Sequence, residues 1–254
     1  MSFFYIIIVV KAMEITSLNN DKVKVWNKLK NKKYQNEYGL FLVEGDHLLK
    51  EALKVGALEE IISSRDYKTE LPFYKVTKDI MKKLSSQVSG TDIIGVCTKR
   101  SDALNIGNKV LVLDNISDPG NMGTIIRSAV AFNIDTIIAS NNSVDFYNDK
   151  VIRSSEGMFF NIDLIKTDIE EMIKKLKSEG FYIMGTDVVG GTNIKDVKRP
   201  DKFALIMGNE GSGISESIRN MCDTLIYIDM NKSCESLNVG VATSILLYEL
   251  NKGK

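Results

Sequence analysis

The chain contains a single histidine, His47, which rules out a histidine-based triad or a histidine-rich metal cluster before any motif is sought. Its three cysteines, Cys97, Cys222 and Cys234, are odd in number, widely spaced and without a C-x-x-C pair. That set argues against a zinc site and for reduced thiols in a cytosol. Neither charge prevails: 33 Lys and Arg face 33 Asp and Glu, so no global field marks the chain as a nucleic-acid binder, and any basic surface has to be local. A hydrophobic run of membrane length is also missing. The apolar stretch over 3–10, FFYIIIVV, is far shorter than the roughly 20 residues of a span, and no small-residue cleavage site follows it. Neither an anchor nor a signal peptide is expected. From Met13 the sequence reads more ordinarily, and residues 1–12 are either an upstream extension of the reading frame or an added edge strand. There is no internal repeat or low-complexity tract.

What the chain does have is core material, since 254 residues with 44% hydrophobic content suffice for two domains. In the first part, the spacing predicts a helix over 21–33, with Val23, Trp26 and Leu29 facing inward and Lys24, Lys28 and Lys32 recurring every four residues on another face. Such a stripe suits a phosphate backbone, and equally a solvated helix face. Strands are expected at 40–44, 61–62, 73–76 and 93–98, with helices over 47–54 and 78–85 between them. That alternation reads as a small α/β module over 13–98. Residues 99–108, polar and containing glycine, read as a linker.

The pattern restarts over 109–254. Strands are expected at 110–113, 136–139, 182–186, 203–207 and 225–228, and helices over 122–132, 169–178 and 216–220. Strands spaced roughly twenty to forty residues apart with helices between them are βαβ units, hence a mostly parallel sheet covered on both faces. The last helix is expected from 236 onward. It carries Leu237, Val241, Ile245 and Tyr248 at helical spacing, a small-residue face at Gly240, Ala242 and Thr243, and Gly253 as a stop. The loop before it, NKSCES over 231–236, is too polar to bury for packing alone. It either points amides and hydroxyls at a ligand or is an ordinary turn capped by Ser236.

Three clusters follow expected strands, where open α/β sheets bind ligands. In the first, DPGNMGTIIR over 118–127, Asn121 and Arg127 sit about one and two-thirds turns apart, close to the same side if the helix starts near Met122. The second, GNEGSGIS over 208–215, lets backbone approach a ligand closely while Glu210 offers a carboxylate. The third is ESLNV over 235–239. The glycine spacing G-x-x-G-x-G is not a dinucleotide fingerprint, and without a lysine after Gly213 it is not a P-loop.

In this order and spacing the clusters resemble the signature motifs of the SpoU, or TrmH-type, branch of the SPOUT methyltransferases. The stretches that carry the resemblance are LDNISDPGNMGTIIRSA from Leu113, IMGNEGSGIS from Ile206, and Ile228-Asp-Met through ESLNVGVA. KVIRSSEG from Lys150 matches a fourth run, and together they cover 110–250. The first half is similar, more loosely, to the ribosomal-protein-like RNA-binding domain that often precedes this catalytic domain, through residues 29–33 and FLVEG from Phe41. Two positions depart from the family: Asp229-Met-Asn-Lys232 stands where Pro-Met-x-Gly is usual, and Gln35 where an arginine is common.

The resemblance implies an α/β fold whose C-terminal sheet contains a deep trefoil knot, preceded by a smaller α/β RNA-binding domain. It implies a cytoplasmic homodimer that needs no metal and no membrane, and that methylates a ribose 2′-oxygen with S-adenosylmethionine. Ribosomal RNA is the expected substrate, with transfer RNA or a non-catalytic RNA-binding role in ribosome assembly as alternatives. Carried over by motif, the cofactor positions are Thr186, Gly208, Ile228, Met230, Ser236 and Leu237. The catalytic positions are Arg127, as base or as stabilising cation, with Asn121, Glu210, Ser236 and Asn238. The candidate RNA contacts are Lys24, Lys28, Lys32, Lys33 and Arg153.

Overall fold

The structure, a computed structural model, describes residues 12–100, 106–188, 190–209, 211–231 and 233–252. The apolar run over 3–10, residues 101–105 of the expected linker, Glu210, Lys232 and Gly253 lie outside the described residues. The chain divides into two compact units, Met1–Arg100 and Ser101–Lys254.

The first unit contains β1 (Met13–Ile15), α1 (Asp21–Lys28), α2 (Lys32–Tyr38), β2 (Leu40–Glu44), α3 (Asp46–Lys54), β3 (Leu58–Ser63), β4 (Phe73–Val76), α4 (Lys78–Leu84) and β5 (Ile93–Thr98). Its sheet runs β1-β4-β3-β5-β2, parallel across β1, β4 and β3 and antiparallel at β5. Trp26 is buried against Tyr74, with ring centroids 5.1 Å apart, and its indole N–H donates to Glu60 Oε2 at 3.0 Å, so the largest core side chain leaves no polar atom unpaired.

The single helix expected over 21–33 is two. The chain turns after buried Leu29, whose carbonyl accepts a hydrogen bond from the buried Gln35 side chain at 2.9 Å, and Asn31 restarts the helix by capping the Lys33 N–H. Lys32 therefore does not continue the stripe of Lys24 and Lys28. Gln35, where the family often carries arginine, is internal and closes the turn.

The second unit contains β6 (Lys109–Leu113), α5 (Pro119–Ala131), β7 (Thr136–Ser140), α6 (Asp149–Ser154), β8 (Asp163–Thr167), α7 (Ile169–Ser178), β9 (Tyr182–Thr186), β10 (Thr192–Asn193), β11 (Phe203–Met207), α8 (Glu216–Arg219), β12 (Thr224–Tyr227) and α9 (Val239–Asn251). Its seven strands run β10-β12-β9-β11-β6-β7-β8, and every pairing is parallel. On one face Val110, Val112, Ile138, Ile183, Ala204 and Ile206 pack with Ile169, Ile173 and Leu176 of α7. Alternation along the strands sends the equally buried Leu111, Ile137 and Leu205 to the other face, so both faces are covered as a parallel sheet requires.

Helix α5 begins at Pro119, capped by Asp118, three residues ahead of the expected start. Helix α9 begins at Val239 with Asn238 as its cap, so Ser236 is not the cap. Its buried face is Val239, Gly240, Thr243, Leu246, Leu247 and Leu250, while Val241 and Tyr248 of the expected stripe are exposed. The small face meets α5: a Cβ on Gly240 would come within 3.1 Å of Thr124, and the hydroxyls of Ser128 and Ser244 are 2.6 Å apart. No helix among the described residues is long and apolar enough to cross a membrane.

Candidate active site

At the carboxyl ends of β9, β11 and β12 lies a cavity of about 580 Å³. Thr186, Gly208, Ile228, Met230, Ser236 and Leu237 all line it, although they come from three strand ends and the loop before α9. Ile214, Ile226 and Leu246 add apolar wall. Asp229 is exposed and is not part of the lining, so the carboxylate that replaces a family proline does not enter the cavity.

The glycine-rich loop after β11 closes on itself. Asn209 N–H donates to Gly213 O at 3.1 Å and Gly213 N–H to Asn209 O at 2.9 Å, which brings the Gly213 and Ile214 backbone against the α-carbon of Gly208. This loop is tied to the first motif by groups the sequence did not single out. The buried carboxylate of Asp114 accepts from the Ser215 N–H at 3.2 Å and from the Asn115 side chain at 2.8 Å. Asn115, held in the left-handed region at φ 57°, accepts at its carbonyl from the Asn209 side chain at 2.9 Å. Burial pushes the Asp114 carboxyl above the ordinary carboxylate range, with the Ser215 N–H pulling the other way.

A raised folded-state pKa contributes stability below the unfolded value of about 3.9 and loses it as pH climbs through the raised value. Asp114→Asn removes this titration and leaves one of two donors without an acceptor. In urea melts the variant should therefore gain on the wild type as pH rises from about 4 to 7. A stability difference independent of pH would mean that the Asp114 charge is not buried in solution.

The asparagines of the first and third motifs meet. Asn238 Nδ2 donates to Asn121 Oδ1 at 2.9 Å, and Asn238 Oδ1 accepts from the Gly240 and Val241 N–H groups, so one side chain caps α9 and joins it to the start of α5. Arg127 is elsewhere on α5. Six residues at about 100° each place it roughly 120° around the axis from Asn121, so the two do not share a face. Arg127 is exposed, and its side chain makes no ion pair or hydrogen bond among the described residues. Neither Arg127, Asn121 nor Asn238 lines the cavity. Arg153 is paired with Asp149 at 2.7 Å, and Lys24 with Asp21 at 2.8 Å. Lys28, Lys32 and Lys33 are exposed.

An ion pair between Arg219 and Asp187 stands in the cavity wall and was not foreseen, because neither residue belongs to a motif. Cys222 is half-buried and its thiol is pushed up to about 11 by burial, while Cys234 is exposed on the loop before α9. Among the described residues no three His, Cys, Asp or Glu side chains cluster in a way that could hold a metal.

Residues 108–248 match the SpoU rRNA Methylase family, and residues 20–95 match the MRM3-like substrate binding domain. The 23S rRNA (guanosine(2553)-2′-O)-methyltransferase RlmP of Bacillus subtilis is 34% identical over 244 residues, which is 93% of this chain and 98% of that protein. The crystal structure of an AdoMet-bound rRNA methyltransferase from Sinorhizobium meliloti superimposes with a TM-score of 0.85 at 25% identity, covering 95% of this chain and 98% of that one. The SpoU methyltransferase AviRb from Streptomyces viridochromogenes shares the fold, with a TM-score of 0.82 over 92% of this chain and 98% of its own at 24% identity. With its parallel seven-stranded sheet and the motif residues gathered at the strand ends, this chain belongs to the SpoU rRNA methylase family.

Proposed function

We propose that this chain transfers a methyl group from S-adenosylmethionine to a ribose 2′-oxygen of ribosomal RNA. The observation that carries the reading is the convergence of Thr186, Gly208, Ile228, Met230, Ser236 and Leu237 on one cavity. Its volume falls in the ordinary small-ligand range of about 300–1,000 Å³. Apolar Ile226, Leu237 and Leu246 suit an adenine ring, and the bare α-carbon of Gly208 lets the Gly213 and Ile214 backbone close against it and shape the cavity wall. Bound there, S-adenosylmethionine supplies an electrophilic methyl group.

The remaining work falls to the chain's own groups. A ribose 2′-hydroxyl has to lose its proton as it attacks, and a free guanidinium, with a pKa above about 12, is a poor base. Exposed, and with its side chain unpaired among the described residues, Arg127 offers its charge and planar fork to the RNA, which favours stabilising the developing alkoxide or holding a phosphate. Asn121 and Asn238 fix each other and so hold the adjoining helix starts, with Ser236 and Glu210 completing the set by the motif match. The exposed Val241 and Tyr248 of α9 support a homodimer through that helix. The second unit carries the trefoil knot of its family, the lysines of the first unit engage the RNA, and the enzyme works in the cytoplasm.

Titration calorimetry in chelator should show S-adenosylmethionine binding without metal. Mapping 2′-O-methyl positions in RNA from cells with and without the gene should show one ribosomal position lost. The first to examine is the position that matches the one methylated by the Bacillus subtilis relative. A folded sample that gives no heat with the cofactor or its demethylated product would overturn the enzyme reading, and a lost transfer RNA position would move the target.

A further inference from the structure

The first unit carries an aromatic pair that its core does not use. Tyr34 and Tyr38, one helical turn apart on α2, stack with ring centroids 6.1 Å apart and planes inclined by 20°. Tyr38 is 37% exposed. Neither ring's hydroxyl has a hydrogen-bond partner among the described residues. The Lys28 and Lys33 ammonium groups stand 5.1 and 5.6 Å from the Tyr34 ring centre, so the pair is flanked by cations. Helix α2 is pinned beneath them by the internal Gln35 side chain, which fixes where both rings stand. Glu37 is the only acid on α2, against Lys32 and Lys33. A core aromatic would be covered, and a solvated lysine face does not need a ladder of two parallel rings.

We propose that Tyr38, backed by Tyr34 and flanked by Lys28 and Lys33, is a stacking platform for an unpaired RNA base, so that the first unit grips a single-stranded or looped segment of the substrate. This rests on the RNA methyltransferase reading and names the form of RNA that reading leaves open. The chemistry is general. Bases in a duplex have their faces occupied by their neighbours, whereas an unpaired base can extend an existing aromatic stack while nearby lysines hold its phosphates. An acidic protein segment would use the lysines but would gain little from the rings.

The test uses the full chain and fluorescence anisotropy with a labelled single-stranded RNA and the same sequence in duplex. Tyr38→Ala should weaken single-strand binding about tenfold or more and leave duplex binding unchanged. Tyr38→Phe should bind like the wild type, and Tyr38→Leu, which keeps apolar bulk without a π face, should behave like the alanine variant. The slope of log affinity against log salt should stay the same in the tyrosine variants and flatten in Lys28→Ala with Lys33→Ala, because only the lysines neutralise phosphate. Single-strand affinity unchanged in Tyr38→Ala, equal losses on both RNAs, or an acidic polypeptide displacing both RNAs with Tyr38 irrelevant would each overturn the platform. Calorimetry on the same samples separates this from the enzyme reading: cofactor binding intact with the RNA result negative discards the platform alone, whereas no cofactor binding in the wild type discards the enzyme.

Discussion

Arg127→Ala is expected to lower single-turnover methyl transfer by roughly a hundred- to a thousandfold, the usual loss when one preorganised charge or donor is removed from a developing anion. Cofactor affinity should stay at the wild-type level, because Arg127 lies on α5 and does not line the cavity. The fold should hold as well, since the side chain is exposed and supports no other group among the described residues. Arg127→Lys distinguishes the possible roles. If the residue acts as a base, a lysine, which lowers its pKa readily on desolvation, should recover part of the rate with the pH profile moved down. If the planar fork holds ribose or phosphate, lysine should fail at every pH. The exposed Arg127 side chain, with no partner among the described residues, favours the second outcome. Full single-turnover activity in Arg127→Ala would remove the residue from the mechanism and turn attention to Asn121, Glu210 or the RNA's own phosphate.

How far these roles could be read in advance depends on the distance over which each residue finds its partner. Strands β9 and β11 and helix α7 announce themselves through continuous apolar runs or a clean amphipathic period, so their limits are legible residue by residue. Strand β8 is not, because Asp163-Leu-Ile-Lys-Thr lies at the sheet edge and only Ile165 is buried. Helix α6, six residues long, is too short to show a period. The break between α1 and α2 was hidden by the lysine spacing, which runs on across it; the signal that could have revealed it is Asn31, a good cap placed just before a new helical turn.

The site divides in the same way. Its cavity residues were legible through the motifs, not through periodicity. The contacts that assemble them are long-range: Asn238 and Asn121 are 117 residues apart, and Ser215 and Asp114 are 101 apart. No local pattern encodes such pairs. Nor could spacing along α5 establish that Asn121 and Arg127 work from one face, since the helix carries them apart.

Gly208→Ala is expected to abolish measurable cofactor binding, an effect of at least about a hundredfold, or roughly 2.7 kcal/mol. The methyl group would lie 2.1 Å from the Gly213 carbonyl carbon and 2.3 Å from the Ile214 nitrogen. Both are backbone atoms, so no rotamer change relieves the overlap. Either the loop that Asn209 and Gly213 close by their paired hydrogen bonds has to open, or the end of β11 has to move. Both take cavity wall away from the ligand, and overpacking of this kind costs about 1–3 kcal/mol of stability as well. Gly211→Ala separates loop disruption from contact with the ligand. A methyl group there meets only the Asn209 side-chain oxygen at 3.5 Å and Gly211 has no positive φ, so the loop should stay closed, and because Gly211 also lines the cavity any loss of affinity reports contact with the cofactor itself. Its loss should be smaller than that of Gly208→Ala. RNA affinity through Lys28, Lys33 and Tyr38 should survive in Gly208→Ala, since those residues belong to the other compact unit. Calorimetry and anisotropy on the two variants check both statements. Wild-type cofactor affinity in Gly208→Ala would show that the ligand does not rest on this loop and that the cavity at the ends of β9, β11 and β12 is not where it binds.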